Sequence, residues 1–212
     1  MNQTLCALCH STELTFYVED KKRQYWQCET CHLVQVPSSF HLTSEQEKAE
    51  YDKHDNNCDD VGYRRFLSRC LDPVLQRIPV SAKGLDFGCG EGKVLSKMAA
   101  EKGMSIDNYD LYYVNQPQLL IKRYDVITMT EVIEHIADAN ALLIQLQSML
   151  NKNGLLAVMT KRVKDKSAFK QWHYKNDQTH ICFYSIATFE WIAQRFQWQL
   201  EVISDDVVMF TT

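Results

Sequence analysis

The sequence predicts an α/β protein with a doubly wound, mainly parallel sheet, preceded by a small zinc-stapled ribbon. Three observations carry this prediction. Short apolar runs alternate with amphipathic helical segments from residue 62 onward. A glycine-rich stretch, Gly88-Cys89-Gly90-Glu91-Gly92, stands between the first run and its helix, and four of the eight cysteines fall into two Cys-x-x-Cys pairs near the N-terminus. Strands alternating with helices imply parallel neighbours with helices on both faces. With 212 residues and 45% hydrophobic composition there is apolar material for one good core, plus a small appendage that needs a staple.

The appendage spans residues 1–40. Thr15-Phe16-Tyr17-Val18 and Gln24-Tyr25-Trp26-Gln27 alternate in the manner of short strands. Cys6-x-x-Cys9 and Cys28-x-x-Cys31, separated by 18 residues, have the spacing of a four-thiolate zinc ribbon in which each pair forms a knuckle. A site closed by four ligands keeps no open position, so the metal is a scaffold, and its removal is expected to unfold the ribbon while sparing the rest. His10 and His32 directly follow ligand cysteines and read as bystanders. Cys58, Cys70, Cys89 and Cys182 occur singly and read as small buried hydrophobes.

Residues 41–60 are charged and poor in branched apolar side chains, which suits a linker made of a helix or loop. The main domain, 61–212, opens with an amphipathic helix over 62–78, capped by Asp60 and bent near Pro73. Apolar runs follow at 84–87, 105–109, 124–128 and 155–160, with helices at 93–102, 138–150 and 185–196. A closing pair, 198–203 and 207–211, turns through Ser204-Asp205-Asp206 and reads as an antiparallel hairpin.

No apolar run approaches the roughly 20 residues that span a bilayer, and residues 1–10 lack a basic segment followed by an apolar one, so a cytoplasmic protein without membrane insertion is expected. A formal net charge of -4 argues against nucleic-acid binding through the bulk field.

The glycine stretch lies where a doubly wound sheet binds its nucleotide. A dinucleotide fold requires G-x-G-x-x-G, whereas here the third glycine comes one residue early and Lys93 holds the expected place. Asp110, 18 positions after Gly92 at the end of the second strand, stands where an acid accepts bonds from ribose hydroxyls.

Leu85-Asp86-Phe87-Gly88-Cys89-Gly90-Glu91-Gly92 resembles the first motif of the class I S-adenosylmethionine-dependent methyltransferases. The likeness continues through Tyr124-Asp125-Val126-Ile127 into Thr130-Glu131-Val132-Ile133-Glu134-His135-Ile136, and at Asn153-Gly154-Leu155-Leu156. The resemblance implies S-adenosylmethionine as cofactor. It places Gly88, Gly90 and Gly92 around the aminocarboxypropyl end, Asp110 at the ribose, Thr130 and Glu131 beside the methionine portion, and Asp86 in support of the loop. Only 13 residues separate Asp110 from Tyr124, too few for the family's usual helix and third strand. A seven-stranded type of sheet with its third strand reduced or missing is therefore expected, with an irregular segment over 112–120 beside the adenine.

The stretch Asp177-Gln178-Thr179-His180 resembles the D-x-T-H segment of small-molecule methyltransferases, those of ubiquinone biosynthesis and the zinc-carrying sugar enzymes among them. That implies a small-molecule acceptor, O- or C-methylation, and His180 as first choice of base, with His135 and His173 as further candidates. In some relatives the segment holding Glu131, Glu134 and His135 binds a divalent ion, which implies a magnesium or manganese site completed by His180 if those residues are helical. The plainer expectation has Glu131 facing the cofactor, Glu134 pairing locally and His135 packing on the sheet. Two alternatives stand beside this reading. One is an RNA methyltransferase gripping phosphates with Lys161, Arg162, Lys164, Lys166, Lys170 and Lys175, a stretch that otherwise reads as a solvated loop. The other is a non-catalytic module of the same fold.

Overall fold

The computed structural model describes residues 5–53 and 56–212. The N-terminal cysteine module is built on a hairpin, β1 (Leu14–Glu19) and β2 (Gln24–Cys28), paired antiparallel from Leu14↔Cys28 to Glu19↔Gln24. Asp20 closes its turn, with Oδ1 accepting from the backbone N–H groups of Lys22 and Arg23 at 2.9 and 3.1 Å, an Asx turn that fixes a tight reversal. Strand β3 (Val34–Gln35) pairs with β2, and its other edge is taken by β8 (Cys182–Phe183), a two-residue strand from far along the chain. The fully buried Tyr25 ring lies 5.1 Å from Phe169 and 5.8 Å from Phe183. The module thus shares one core with the main domain. About 40 residues bury too little surface to stand alone without a metal or a neighbour.

Helix α1 (Ser44–Tyr51) lies in the segment expected to be a linker. Thr43 and Gln46 form a capping box at its start. None of its residues is fully buried. It is tied instead by hydroxyls: Tyr112 donates to Glu47 and Tyr113 to Asp52, both at 2.7 Å. Helix α2 (Val61–Arg77) is capped by Asp60, whose Oδ1 accepts from Gly62 and Tyr63 N–H, and it buries Leu67, Cys70, Leu71 and Val74. It runs on through Pro73.

The main sheet follows as β4 (Gly84–Phe87), α3 (Val94–Glu101), β5 (Ile106–Tyr109), β6 (Tyr124–Thr130), α4 (Ala139–Met149) and β7 (Leu150–Met159). Then come α5 (Lys166–Gln171), β8, α6 (Ile186–Phe196), β9 (Gln199–Val202) and β10 (Val207–Thr211). Its order is β5-β4-β6-β7-β10-β9. The first four strands are parallel, and β10 and β9 run antiparallel as the expected closing hairpin. Leu85, Val126, Ile127, Leu156 and Ala157 are buried in mid-sheet, as strands covered on both faces require. Among the described residues no strand pairs with the outer side of β5, which is the edge. Residues 111–123 form a turn and a single 3-10 turn, and Lys122 and the Tyr124 hydroxyl both bond Asp107 at 3.1 Å, screening that edge.

Strand β6 outruns the expected 124–128 because Met129 and Thr130 pair with Val158 and Met159. Those two residues carry Thr130 to the crevice above the sheet. Of the four single cysteines, Cys70 and Cys182 are buried as expected, whereas Cys58 and Cys89 are only half-buried. No helix among the described residues is long and apolar enough to cross a membrane.

Candidate active site

Strand order switches sides at β4, with β5 on one side and β6 on the other, and the crevice at the C-terminal ends of these strands is the place where such sheets bind ligands. A cavity of about 670 Å³ occupies it. At one end the chain leaves β4 through Gly88 and Gly90, with φ of 80° and 62°, a region L side chains adopt only at a cost. A Cβ on Gly88 would lie 2.4 Å from the Val132 side chain. Both glycines line the cavity. Gly92 is set back from it, since a Cβ there would meet the Asn56 carbonyl oxygen at 2.1 Å. Its small size serves packing against the segment after α1.

Asp110 ties this loop together. One of its oxygens accepts from Gly90 N–H at 3.0 Å, and the other from Tyr112 and Tyr113 N–H at 2.8 and 3.0 Å. That turn presents Tyr112 and Tyr113 to the cavity beside Tyr51, Tyr63 and Tyr109. This aromatic wall replaces the missing strand at the side expected to face the adenine. Beneath it the buried Asp86 accepts from Thr128 Oγ1 at 2.8 Å.

Burial pushes the Asp86 carboxyl up to about 7, against the hydroxyl bond and with help from Asp110. An unfolded aspartate releases its proton near 4. The folded state therefore binds the extra proton between those values, and this group's stabilisation is complete below about pH 4 and lost as pH rises through about 7. Asp86→Asn keeps the acceptor for Thr128 and is expected to make the fall in unfolding free energy across that window shallower, by up to about 1.4 kcal/mol per pH unit. Urea titrations at a series of pH values check this. An equally steep fall in the variant would assign the slope elsewhere.

The far end of the cavity carries acids and imidazoles. Thr130 and Glu131 line it where β6 ends, and Glu131 takes a left-handed φ of 53° with its N–H bonded to Met159 O at 2.8 Å. Ile133–His135 then form one 3-10 turn. The i, i+3, i+4 convergence of Glu131, Glu134 and His135 expected of an α-helix does not arise. Glu131 and His135 reach the cavity, while Glu134 points inward and is fully buried.

The Tyr174 hydroxyl stands between the two acids, 3.0 Å from Glu131 Oε2 and against Glu134 Oε1. One hydroxyl proton serves one acceptor, so the second contact needs a proton from a carboxyl. Burial raises both acids, Glu134 to about 8 with repulsion from Glu131 added, and Glu131 to about 7. Among the described residues Glu131 Oε1 and Glu134 Oε2 have no hydrogen-bond partner.

His135 and His180 stack edge to face with centroids 4.7 Å apart. His135 Nδ1 lies 3.1 Å from Thr179 O, and His180 Nδ1 lies 2.8 Å from Tyr174 O. Carbonyl oxygens only accept, so each ring donates from Nδ1, and His180, kept neutral by burial, has its lone pair on Nε2. Burial holds His180 down to about 4, with His135 lowering it further and Asp177 opposing. Asp177, 3.8 Å from His180 Nε2, resists burial and stays below the usual carboxylate range because the Thr179 hydroxyl and N–H both donate to it. His173 does not join them. The 3-10 turn His173–Asn176 sends Tyr174 inward and leaves His173 exposed beside Lys161, off the cavity wall. Sequence reasoning missed Tyr51, Tyr112, Tyr113 and Tyr174. Their only signal is aromatic excess in segments without periodicity.

In the N-terminal module the sulfurs of Cys6, Cys9, Cys28 and Cys31 all lie within 4.8 Å of one another, with Cys6 to Cys31 and Cys9 to Cys28 each at 3.4 Å. Bonds of about 2.3 Å to a tetrahedral zinc need sulfurs close to this spacing. The two loops are twins. His10 N–H bonds Cys6 O and His32 N–H bonds Cys28 O, each at 3.0 Å, and both histidines have φ of 59°. That backbone geometry, not metal ligation, is their part in the knuckles. The His10 ring lies 3.6 Å from Asp138 instead.

A family model for the methyltransferase domain matches residues 60–202. Ubiquinone biosynthesis O-methyltransferase of Actinobacillus pleuropneumoniae serotype 5b is 28% identical over 94 residues, which span 42% of this chain and 40% of that protein. Among solved structures, the 1,6-didemethyltoxoflavin-N1-methyltransferase of Burkholderia thailandensis, with bound 1,6-didemethyltoxoflavin and S-adenosylhomocysteine, superposes with a TM-score of 0.53. Its identity is 14%, over 94% of this chain and 97% of that one. Magnesium protoporphyrin IX methyltransferase of Synechocystis PCC 6803, with bound S-adenosylmethionine, gives 0.52 at 16% identity, over 81% and 92%. At such identities the likeness is one of fold. The family model spans well over half of the sequence, and the chain belongs to the methyltransferase domain family.

Proposed function

We propose that this chain transfers a methyl group from S-adenosylmethionine to a hydroxyl of a small-molecule acceptor. The observation that carries this reading is the construction of one cavity with two unlike ends: a left-handed glycine turn tied to Asp110, and a histidine and carboxylate cluster. S-adenosylmethionine, when bound, supplies an electrophilic methyl carbon on a sulfonium. Gly88 and Gly90 allow close backbone approach, Asp110 and the tyrosines hold the nucleoside side, and Thr130 and Glu131 lie between the two ends. His180 offers Nε2 to the acceptor proton, and Asp177 stands beside that nitrogen to balance the charge it gains. Glu47 and Tyr51 of α1 line the cavity wall, where they would limit the access of water to bound ligands.

A divalent ion is an alternative use of the same cluster, in which it would take the His180 Nε2 lone pair in place of the acceptor proton. Ligand atoms of Glu134, His135 and His180 lie within 4.8 Å of one another, and Glu134 Oε2 is buried without a partner among the described residues. Magnesium or manganese held there supplies a Lewis acid for the acceptor hydroxyl. We also assign zinc to the four thiols, as a structural ion, in a cytoplasm that keeps free thiols reduced. The nucleic-acid alternative loses support because two of the six basic residues are committed internally. Arg162 bonds Ser204 O, and the buried Lys175 pairs with Asp20 at 2.8 Å.

Incubation with methyl-labelled S-adenosylmethionine and a cell extract is expected to label small metabolites. Label in RNA or protein would overturn the proposal. On the divalent-ion alternative, a chelator mild enough to leave the zinc in place is expected to stop the transfer, and magnesium or manganese to restore it. Full transfer under that chelator would end that alternative and leave His180 as a simple base.

A further inference from the structure

The segment that carries Asp177 and His180 to the cavity has little regular structure of its own. It is a 3-10 turn followed by a bend, and three of its carbonyls, those of Lys175, Asp177 and Gln178, point away from the main sheet toward the cysteine module. All three are met by one side chain. Arg23, at the hairpin tip and only 5% exposed, donates from Nη1 to Gln178 O at 3.0 Å. Its Nη2 donates to Lys175 O at 2.6 Å and Asp177 O at 2.5 Å, and its Nε donates to the Tyr25 hydroxyl at 3.1 Å.

The hairpin in turn fixes Arg23. Asp20 Oδ1 accepts from Arg23 N–H, while Asp20 Oδ2 accepts from the Tyr25 hydroxyl and from Lys175 Nζ, each at 2.8 Å. Only a planar fork with five donors can meet this many acceptors from one stem, and a lysine ammonium cannot reproduce the arrangement. The hairpin side of this network, Arg23, Asp20 and Tyr25, does not line the cavity. Its far end does, since His180 is oriented by Tyr174 O, the carbonyl immediately before the clamped stretch, and Asp177 lies within it.

We propose that Arg23 is a positioning residue: by clamping the carbonyls of residues 175, 177 and 178 it sets the placement of Asp177 and His180 in the cavity. The cysteine module is then the mount of the acceptor side of the site, reaching it through backbone carbonyls and not through any contact with the cofactor side. The proposal rests on the methyl-transfer reading only for its functional consequence. The placement itself is independent of that reading.

The test compares the parent chain with Arg23→Gln, after zinc content and S-adenosylmethionine affinity have shown that both knuckles and the glycine end are intact. Long-range proton–nitrogen spectra of histidine-labelled protein, assigned with His180→Gln, read which ring nitrogen of His180 holds the proton. In the parent the proton is expected on Nδ1. In Arg23→Gln that form is expected to give way to a mixture, and label transfer to the extract to fall by about a hundredfold, the cost of a displacement near 1 Å. Cofactor affinity is expected to stay unchanged.

His180 still protonated on Nδ1 in the variant would overturn the proposal whatever the activity, and so would a parent with the proton on Nε2. A shifted tautomer in a system where the parent itself transfers no label would sustain the positioning role and sink the methyl-transfer reading. Where Arg23→Gln loses zinc or cofactor binding, Arg23→Lys takes its place. It keeps the buried charge without the fork, and the same spectra decide between the same outcomes.

Discussion

Gly90→Val is expected to abolish S-adenosylmethionine binding while leaving the protein folded. Gly90 sits at φ 62°, where an L residue costs about 1–2 kcal/mol and a β-branched one somewhat more. Among the described residues a Cβ there meets only the Asn56 side-chain amide, at 3.1 Å, so the fold accommodates it. The two methyls beyond it have nowhere to go but the cavity, beside the carboxylate of Asp110 that the Gly90 N–H holds. Calorimetric titration with the cofactor checks the result, with circular dichroism as the control for folding. Unchanged affinity would remove the cofactor from this end of the cavity. Gly88→Ala makes a useful contrast, because its Cβ collides with Val132 at 2.4 Å and the loss should then appear in stability as well as binding.

Replacing Cys31 by serine, or stripping the metal with a strong chelator, is expected to lower the melting temperature of the entire chain in a single transition. Structural zinc bound by four thiolates is worth on the order of 10 kcal/mol of folding free energy. An independent ribbon would melt alone and spare the rest, the outcome expected from the sequence. The structure revises that expectation. Strand β3 is sandwiched between β2 and β8, Tyr25 packs between Phe169 and Phe183, and Arg23 holds three carbonyls of the main domain. Loss of the knuckles exposes that shared apolar surface. Differential scanning calorimetry with metal analysis decides the matter, and two separated transitions would restore the view of an independent ribbon.

The parts legible in the sequence are those set by local pattern. The order of β4, the glycine turn, α3 and β5 follows from periodicity and from residues that tolerate positive φ, and the absent strand follows from a plain count of residues before Tyr124. The convergence of Cys6, Cys9, Cys28 and Cys31 follows from spacing alone. What stayed hidden depends on partners remote in sequence. A two-residue strand such as β3 or β8 has no period to read, and each exists only because the other is there. Helix α1 has no apolar stripe, so nothing within it announces that tyrosine hydroxyls would fasten it over the cavity. The spacing of Glu131, Glu134 and His135 promised one face, but a left-handed Glu131 and a 3-10 turn divided them between cavity and core. His173 and Tyr174 differ by one position in such a turn, and composition cannot say which of the two faces inward.

The pairing of the first strands with β8 also sets an order of events during synthesis. Cys6 and Cys31 are 25 residues apart, so the knuckles close over short loops and can capture metal as soon as they emerge. The partners of Arg23 lie 152 to 155 residues later. Until they arrive, the free edge of β3 and the ring of Tyr25 are open to solvent and to other nascent chains, the kind of surface through which slowly completed topologies aggregate. A metal bound there would hold an early fragment in a nearly finished shape until the segment around residues 175–183 arrives to cover it.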